Sequence, residues 1–390
     1  MRSPKAPESA TLPGRQALLE SRALPASAAA LTTSLLAWYG ANKRLLPWRG
    51  TRDPYGIWVS EVMLQQTQAA VVKTYYQRFL DRFPDVERLA RAPLSEVLGL
   101  WSGLGYYGRA RALHAAAQTI VELGAFPRTL AGLRALPGFG PYTAAAVGSI
   151  AFDLPEPAID GNAVRVYARL VGSREPRAAA ERSLRALTRP LLKFRPSEMN
   201  QAVMDLGQLV CTARAPRCAL CPWRPSCRAH REGTTAEIPV RTLAKPRQPL
   251  TEVVGVLRRG QTVLLARRRE SGLFGGLWEL PGAEALPTAE RLEDALLQEL
   301  GLVAQAGPEL ARVQQTLTHR DLTLVAFQIN ANGGPKLPAD GRYLEAKRFP
   351  ISRLAELGLS SASRRLFEAL GLLVRGTRPP ANKPRRRAAV

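Results

Sequence analysis

Two carboxylates in this chain sit where a carboxyl group could do acid–base work. Glu61 lies in Trp58-Val59-Ser60-Glu61-Val62-Met63-Leu64-Gln65-Gln66-Thr67-Gln68. Its apolar neighbours Trp58, Val62 and Met63 favour partial desolvation, which raises a carboxyl pKa and gives a usable general acid near neutrality. The spacing predicts a helix with Glu61, Gln65 and Gln68 on one face and Gln66 and Thr67 at its margin. A solvated polar face is the ordinary reading, but amides without Lys or Arg can also pair with base edges. Asp160, in Ile159-Asp160-Gly161-Asn162, follows a Pro-flanked segment. Capping a helix is the common role of such an Asp, while Gly161 lets a ligand backbone come close.

The four cysteines are Cys211, Cys218, Cys221 and Cys227, all within seventeen residues. Four thiolates in so short a loop wrap a single centre. Structural zinc sites usually pair two Cys-x2-Cys knuckles, and only one is present, so a 4Fe-4S cluster is the first reading. A zinc ion and uncomplexed or disulfide-bonded cysteines are the alternatives. A structural role is expected, because no redox partner motif accompanies the loop. Arg214, Arg217, Arg224, Arg228 and Arg231 surround it without an acid between Cys211 and Arg231. Such a basic loop suits a phosphate backbone.

Leu136-Pro137-Gly138-Phe139-Gly140-Pro141-Tyr142-Thr143-Ala144 joins turn chemistry to helix-start chemistry. Gly138 and Gly140 permit positive φ and leave backbone N–H groups open, and Pro141 suits the first position of a helix. A Gly-x-Gly is commonly only a turn, but a helix, a tight glycine turn and a second helix in so basic a chain also offer an anion site of the kind that binds phosphate. Leu104-Gly105-Tyr106-Tyr107-Gly108-Arg109-Ala110-Arg111 adds two aromatics and two arginines, for which core packing and base stacking are equally open.

The global charge agrees with a nucleic-acid partner. The chain of 390 residues carries +23, and removing the six basic residues of 375–390 still leaves +17. No run approaches about 18 apolar residues, so no membrane span is expected. Clustered cysteines and the lack of an apolar leader point to a reducing compartment, the cytoplasm.

These pieces must be positioned by two kinds of structure. From about residue 31 to 231 the apolar pattern is helical, with breaks at 103–105, 137–141 and 155–157. A Pro-rich basic stretch follows. Residues 253–257, 262–266 and 322–329 then read as strands, with helical runs near 289–300 and 352–373. The expected organisation is a tail over 1–27, an all-α domain over 28–238 containing the 211–227 loop, a linker over 239–250, an α+β domain over 251–373 and a basic disordered tail over 374–390.

In this order, Leu46-Pro47-Trp48-Arg49, Ser60 to Thr67, Gly103 to Tyr107, the glycine hairpin, Asp160-Gly161-Asn162, Met204-Asp205-Leu206-Gly207 and the four cysteines resemble the MutY-type adenine DNA glycosylases. These belong to the helix–hairpin–helix glycosylases. The resemblance runs from about residue 31 to 240 and more weakly to about 370. It implies excision of adenine mispaired with 8-oxoguanine, or guanine, in double-stranded DNA by a monomer, with the adenine flipped out of the stack. It further implies that Glu61 protonates adenine N7 and that Asp160 stabilises the oxocarbenium-like sugar. Tyr142 and Asn162 would support that site, Arg49 and Gln201 would hold the adenine, and Gln66 and Tyr106 would fill or wedge the duplex. Gly138 and Gly140 would contact the DNA backbone. Related bifunctional enzymes place a Lys where Tyr142 stands and use its amine to cleave the strand, which tyrosine cannot do. A monofunctional glycosylase is therefore expected, with an endonuclease III-like glycosylase/lyase as the alternative.

The C-terminal part resembles a Nudix fold. Gly275-Gly276-Leu277-Trp278-Glu279-Leu280-Pro281-Gly282 looks like the start of a Nudix box. Where an active box has Arg-Glu-x-x-Glu-Glu, this chain keeps one acid in Ala295-Leu296-Leu297-Gln298-Glu299-Leu300-Gly301, too few to hold the usual magnesium ions. The resemblance implies a recognition module for 8-oxoguanine rather than a pyrophosphohydrolase. The family often carries Phe-Ser-His in its recognition loop, and here Leu317-Thr318-His319 stands there, keeping a hydroxyl at Thr318 and a ring at His319.

Overall fold

Up to residue 231 the described residues form helices, and from residue 248 they form strands joined by two further helices. The computed structural model describes residues 23–240 and 246–374. Residues 1–22 of the expected tail, 241–245 of the expected linker and 375–390 of the expected basic tail lie outside the described residues. Among the described residues no helix is long and apolar enough to cross a membrane.

The helices are α1 (Ala28–Asn42), α2 (Pro54–Leu64), α3 (Ala69–Arg82), α4 (Val86–Arg91), α5 (Leu94–Trp101), α6 (Gly108–Leu123), α7 (Leu130–Arg134), α8 (Pro141–Phe152), α9 (Gly161–Val171), α10 (Arg177–Thr188), α11 (Pro196–Leu209) and α12 (Arg228–Arg231). Then come β1 (Gln248–Val256), β2 (Arg258–Arg259), β3 (Thr262–Arg268), β4 (Trp278–Glu279), β5 (Gly282–Glu284), α13 (Ala289–Leu300), β6 (Ala304–Thr316), β7 (Arg320–Ala331), β8 (Tyr343–Pro350) and α14 (Ser361–Ala369). The described residues form two compact units. One joins those up to Glu61 with those from Phe126 to residue 240; the other joins Val62–Ala125 with those from residue 246.

In the first unit, Leu31, Leu35 and Tyr39 recur every four residues and bury one stripe of α1 against the apolar residues of α9 and α11. Trp223 enters the same core, stacks at 5.9 Å from Tyr167 and donates to the Leu31 carbonyl at 2.9 Å. The hairpin forms as expected between α7 and α8. Gly138 takes φ +74°, which only glycine adopts without strain. Gly140 does not need that freedom: it caps α8 at φ −70° and ψ 176°, with Pro141 opening the helix.

The second unit holds two four-stranded sheets. One has the order β5-β1-β7-β6, with β1 and β7 parallel; in the other, β3 pairs with β2, β4 and β8. Alternation along β1 sends Leu250, Val254 and Val256 to the core beside α14 and Val253 to the core beside α13.

Three expectations need correction. The amides after Glu61 do not share a helical face: α2 ends at Leu64, Gln66 turns at φ +57°, and Gln68 caps α3. The Arg109 guanidinium takes the carbonyls of Val62, Met63 and Gln65, which releases the chain from the helix there. Residues 352–373 are not one helix but a 3-10 turn over Ile351–Glu356 followed by α14, which Ser360 caps by accepting from the Ser363 N–H. Strands β6 and β8 have no counterpart in the expected elements.

Candidate active site

Glu61 is 4% exposed, and Tyr142 at the start of α8 donates its hydroxyl to Glu61 Oε2 at 2.7 Å. Burial pushes the Glu61 carboxyl up to about 7; the Tyr142 hydrogen bond and the charge of Arg49 pull against it, and Asp160 adds to it. Such a group is protonated in a large fraction of molecules at neutral pH and suits proton donation. The Tyr142 phenol is itself raised well above its ordinary range, by burial first and then by the Glu61 charge, so it stays a neutral donor.

Asp160 caps α9. Its Oδ1 accepts from the Ala163 N–H at 2.7 Å and its Oδ2 accepts from Asn162 Nδ2 at 3.0 Å. Asn162 in turn accepts from Arg165 Nη2 at 2.9 Å, and Arg165 Nε donates to the Cys211 carbonyl at 2.7 Å. A hydrogen-bonded chain thus runs from the Asp160 carboxylate to the backbone of the cysteine loop.

Arg49 donates to both oxygens of Asp205, Nη1 at 2.7 Å and Nη2 at 2.9 Å, and Nη1 also reaches the Tyr39 hydroxyl at 2.8 Å. Arg44 Nε adds a bond to Asp205 Oδ1 at 2.7 Å, so two guanidiniums converge on one fully buried carboxylate. Gln201 lies one turn before Asp205 on α11; its Nε2 donates to Ser197 Oγ at 3.1 Å and its Oε1 accepts from Tyr39 at 3.4 Å. Glu61, Tyr142, Asp160, Asn162, Arg49 and Gln201 therefore belong to one unit, as do the exposed turn residues Gly138 and Gly140. Asp205, Tyr39, Arg44 and Arg165 were not singled out for roles in the sequence. The one available signal was the four-residue step from Gln201 to Asp205, which stacks both on one helical face.

The other candidate residues belong to the second unit. Gln66 is exposed, and Tyr106 is 46% exposed at φ +50°. The Tyr106 and Thr318 hydroxyls share a hydrogen bond of 2.9 Å. Tyr106, Arg111, Phe274, Leu317, Thr318 and His319 line a cavity of about 630 Å³. Tyr107 takes the packing role instead: it is buried, and its hydroxyl donates to the Leu359 carbonyl at 2.6 Å. Glu299, the acid left in the degenerate box, accepts from the Arg342 N–H at 2.8 Å.

All four cysteines are free of disulfides and line one small cavity together with Arg169 and His230. Arg169, 2% exposed, donates to Cys211 Sγ at 3.4 Å and to the Thr212 carbonyl at 2.7 Å. An all-sulfur set beside a buried cation fits the thiolate ligands of an iron–sulfur cluster. The fit is one of donor chemistry: as they stand, no three His, Cys, Asp or Glu side chains among the described residues are drawn together tightly enough to hold a metal ion. Arg214, Arg217, Arg224 and Arg231 of this loop are exposed.

Residues 59–190 match the HhH-GPD superfamily of base excision DNA repair proteins, and residues 253–369 match the NUDIX domain. The hairpin fold with its buried acid thus defines a base excision DNA repair glycosylase that carries a Nudix domain. The chain is 34% identical to the adenine DNA glycosylase of Mus musculus, across 93% of this chain and 84% of the relative. It is 33% identical to the adenine DNA glycosylase of Homo sapiens, across 88% and 74%. A solved thermostable thymine-DNA glycosylase aligns at 28% identity and a TM-score of 0.48, covering 55% of this chain and 99% of that one. The chain belongs to the adenine DNA glycosylase family.

Proposed function

We propose that this protein removes adenine mispaired with 8-oxoguanine, or with guanine, from double-stranded DNA, and that it does so without cleaving the strand. The observation that carries the reading is the buried Glu61 carboxyl, held by Tyr142 and raised to about 7. Protonation of adenine N7 by Glu61 turns a poor leaving group into a neutral base, while the Asp160 carboxylate offsets the positive charge that develops on the sugar. The two carboxyl groups divide acid and anion roles as in glycoside hydrolysis. Arg49, fixed by Asp205, and Gln201 bind the flipped adenine, and Asn162 orients Asp160.

Tyr142 supports the monofunctional part of the reading, because a phenol cannot form a Schiff base. Gly138, Gly140 and the arginines of the cysteine loop bind DNA phosphates. Cys211, Cys218, Cys221 and Cys227 hold a 4Fe-4S cluster, which fixes that loop when bound. Thr318 and His319 read the 8-oxoguanine, while Gln66 and Tyr106 enter the duplex. The clustered, disulfide-free cysteines favour a reducing compartment, the cytoplasm, as its place of work.

Single-turnover cleavage of a duplex with one adenine opposite 8-oxoguanine tests this, analysed with and without alkali beside an A:T control. Breaks only after alkali and only with the mispair are expected. Alkali-independent breaks would overturn the role of Tyr142, and tight binding without product in either lane would remove the catalytic reading.

A further inference from the structure

Gln66 and Tyr106 are both non-glycine residues with left-handed backbone, at φ +57° and +50°. Side chains there are strained, and such residues persist where surrounding contacts over-determine them. One residue contributes to those contacts at both places, and at the second it shares the Gly105 carbonyl with Trp101 Nε1, which donates at 3.2 Å. Arg109 donates through Nη1 to the Gln65 carbonyl, the peptide oxygen immediately before Gln66, and through Nη2 at 3.3 Å to the Gly105 carbonyl, immediately before Tyr106. Further bonds go to Val62 O at 2.7 Å, Met63 O at 3.0 Å and Leu104 O at 3.3 Å. The guanidinium carbon stands 5.4 Å from the Tyr106 ring centroid and 5.5 Å from that of Trp101. Among the described residues no carboxylate forms an ion pair with Arg109; its charge is spent on backbone carbonyls and ring faces. Burial pulls its pKa down to about 10, which leaves it charged at neutral pH.

We propose that Arg109 is a positioning residue that holds Gln66 and Tyr106 in one arrangement, so that both side chains enter the duplex together as the target base leaves it. This rests on the reading above that Gln66 and Tyr106 enter DNA. Its physical basis is pre-organisation: two strained turns ordered before binding need not be ordered during it. A planar fork reaches carbonyls on two segments at once through its two Nη groups. An ammonium group, a compact point charge, cannot bridge them in the same way.

The test follows base flipping by stopped-flow fluorescence, with 2-aminopurine in place of the target adenine opposite 8-oxoguanine. The full chain is used with Glu61→Gln throughout, so that no excision intervenes. Arg109→Lys is expected to slow flipping about tenfold, the scale of losing charge-assisted hydrogen bonds. In a background carrying Gln66→Ala and Tyr106→Ala, the same Arg109→Lys change is expected to have almost no further effect, which a merely structural role would not produce. An Arg109→Lys protein that flips at the parent rate, or one equally slowed in the double-alanine background, overturns the proposal and leaves the duplex-entry reading standing. Double-alanine flipping at the parent rate with Arg109 intact overturns both. A measurement on the parent protein covers the case of an unstable Arg109 variant. Amide exchange at residues 65–67 and 104–106 should share one opening rate and one denaturant dependence; separate openings overturn the proposal.

Discussion

The Tyr142 hydroxyl donates to Glu61 Oε2 at 2.7 Å across 81 residues of sequence, joining the start of α8 to a buried acid on α2. The bond favours the ionised carboxylate and opposes the burial that raises Glu61 to about 7. Removing it with Tyr142→Phe therefore raises the Glu61 pKa further. If excision needs the Glu61 proton, the rate falls as pH rises through that pKa, and Tyr142→Phe moves this alkaline limb upward. Single-turnover rates between pH 6 and 9 check the sign; a limb displaced downward contradicts the assignment.

Glu61→Gln separates chemistry from stability. The folded chain binds the Glu61 proton more tightly than the unfolded chain, whose carboxyl keeps its ordinary value. Between about 4.5 and about 7 the native state therefore holds more protons, and stability falls as pH rises through that window. At pH 8 the native state bears the full cost of an ionised buried acid, at most about 3 kcal/mol on the scale of 1.36 kcal/mol per pKa unit. Glu61→Gln should remove that slope and melt higher than the parent at pH 8 but not at pH 4. Its excision rate should drop about 10²- to 10⁴-fold while DNA binding persists. Equal melting differences at both pH values would argue against a neutral native Glu61.

Asp160→Asn tests whether the α9 cap is also a catalytic anion. Asparagine caps helices about as well as aspartate, so the bond from the Ala163 N–H survives; its single oxygen cannot also accept from Asn162 Nδ2, so the melting temperature should fall slightly. The negative charge does not survive. Loss of a group placed to offset developing positive charge is expected to cost about 10³-fold in single-turnover excision. Near-parent excision would leave Asp160 as a cap alone.

Where the sequence was legible, the relevant contacts are short in range. The glycine hairpin, the Asp160 cap and the closely spaced cysteines lie within a few residues of what fixes them. Contacts across long separations were opaque. Asp205 draws its partners Arg44 and Arg49 from 161 and 156 residues away, so its charge pairing had no local trace. The helix expected to continue past Glu61 ends because Arg109, 44 residues on, takes the Gln65 carbonyl. Strand β6 was hidden by its polar surface, with none of its residues buried, and by Pro308, where the pairing with β7 shifts register. Tyr106 and Tyr107 could not be told apart in sequence, and the fold gives one to solvent and the other to the core.

In the second unit, Arg268 donates to Glu279 Oε2 at 2.6 Å and to Glu252 Oε2 at 2.7 Å, with Arg342 as the second cation on Glu252. Burial pushes the Glu252 carboxyl up, but Arg268 and Arg342 outweigh it and hold it below the usual carboxylate range. Glu279 is pushed up, chiefly by burial. Arg268→Met leaves two buried acids facing one arginine, and removing one partner of a buried pair costs about 3–5 kcal/mol. The sign with pH follows from Glu252: its folded pKa is depressed, so its share of stability is present above the ordinary carboxylate range and lost as pH falls through the folded value. In the variant, loss of Arg268 raises both buried carboxyls, so they take up protons as pH falls from neutrality, the penalty is relieved and the gap to the parent should narrow toward pH 4. Urea unfolding of both proteins at pH 7.5 and pH 4 measures this. A loss under about 1 kcal/mol at pH 7.5 would place Arg268 with the weakly coupled surface arginines rather than at the centre of the second unit's charge network.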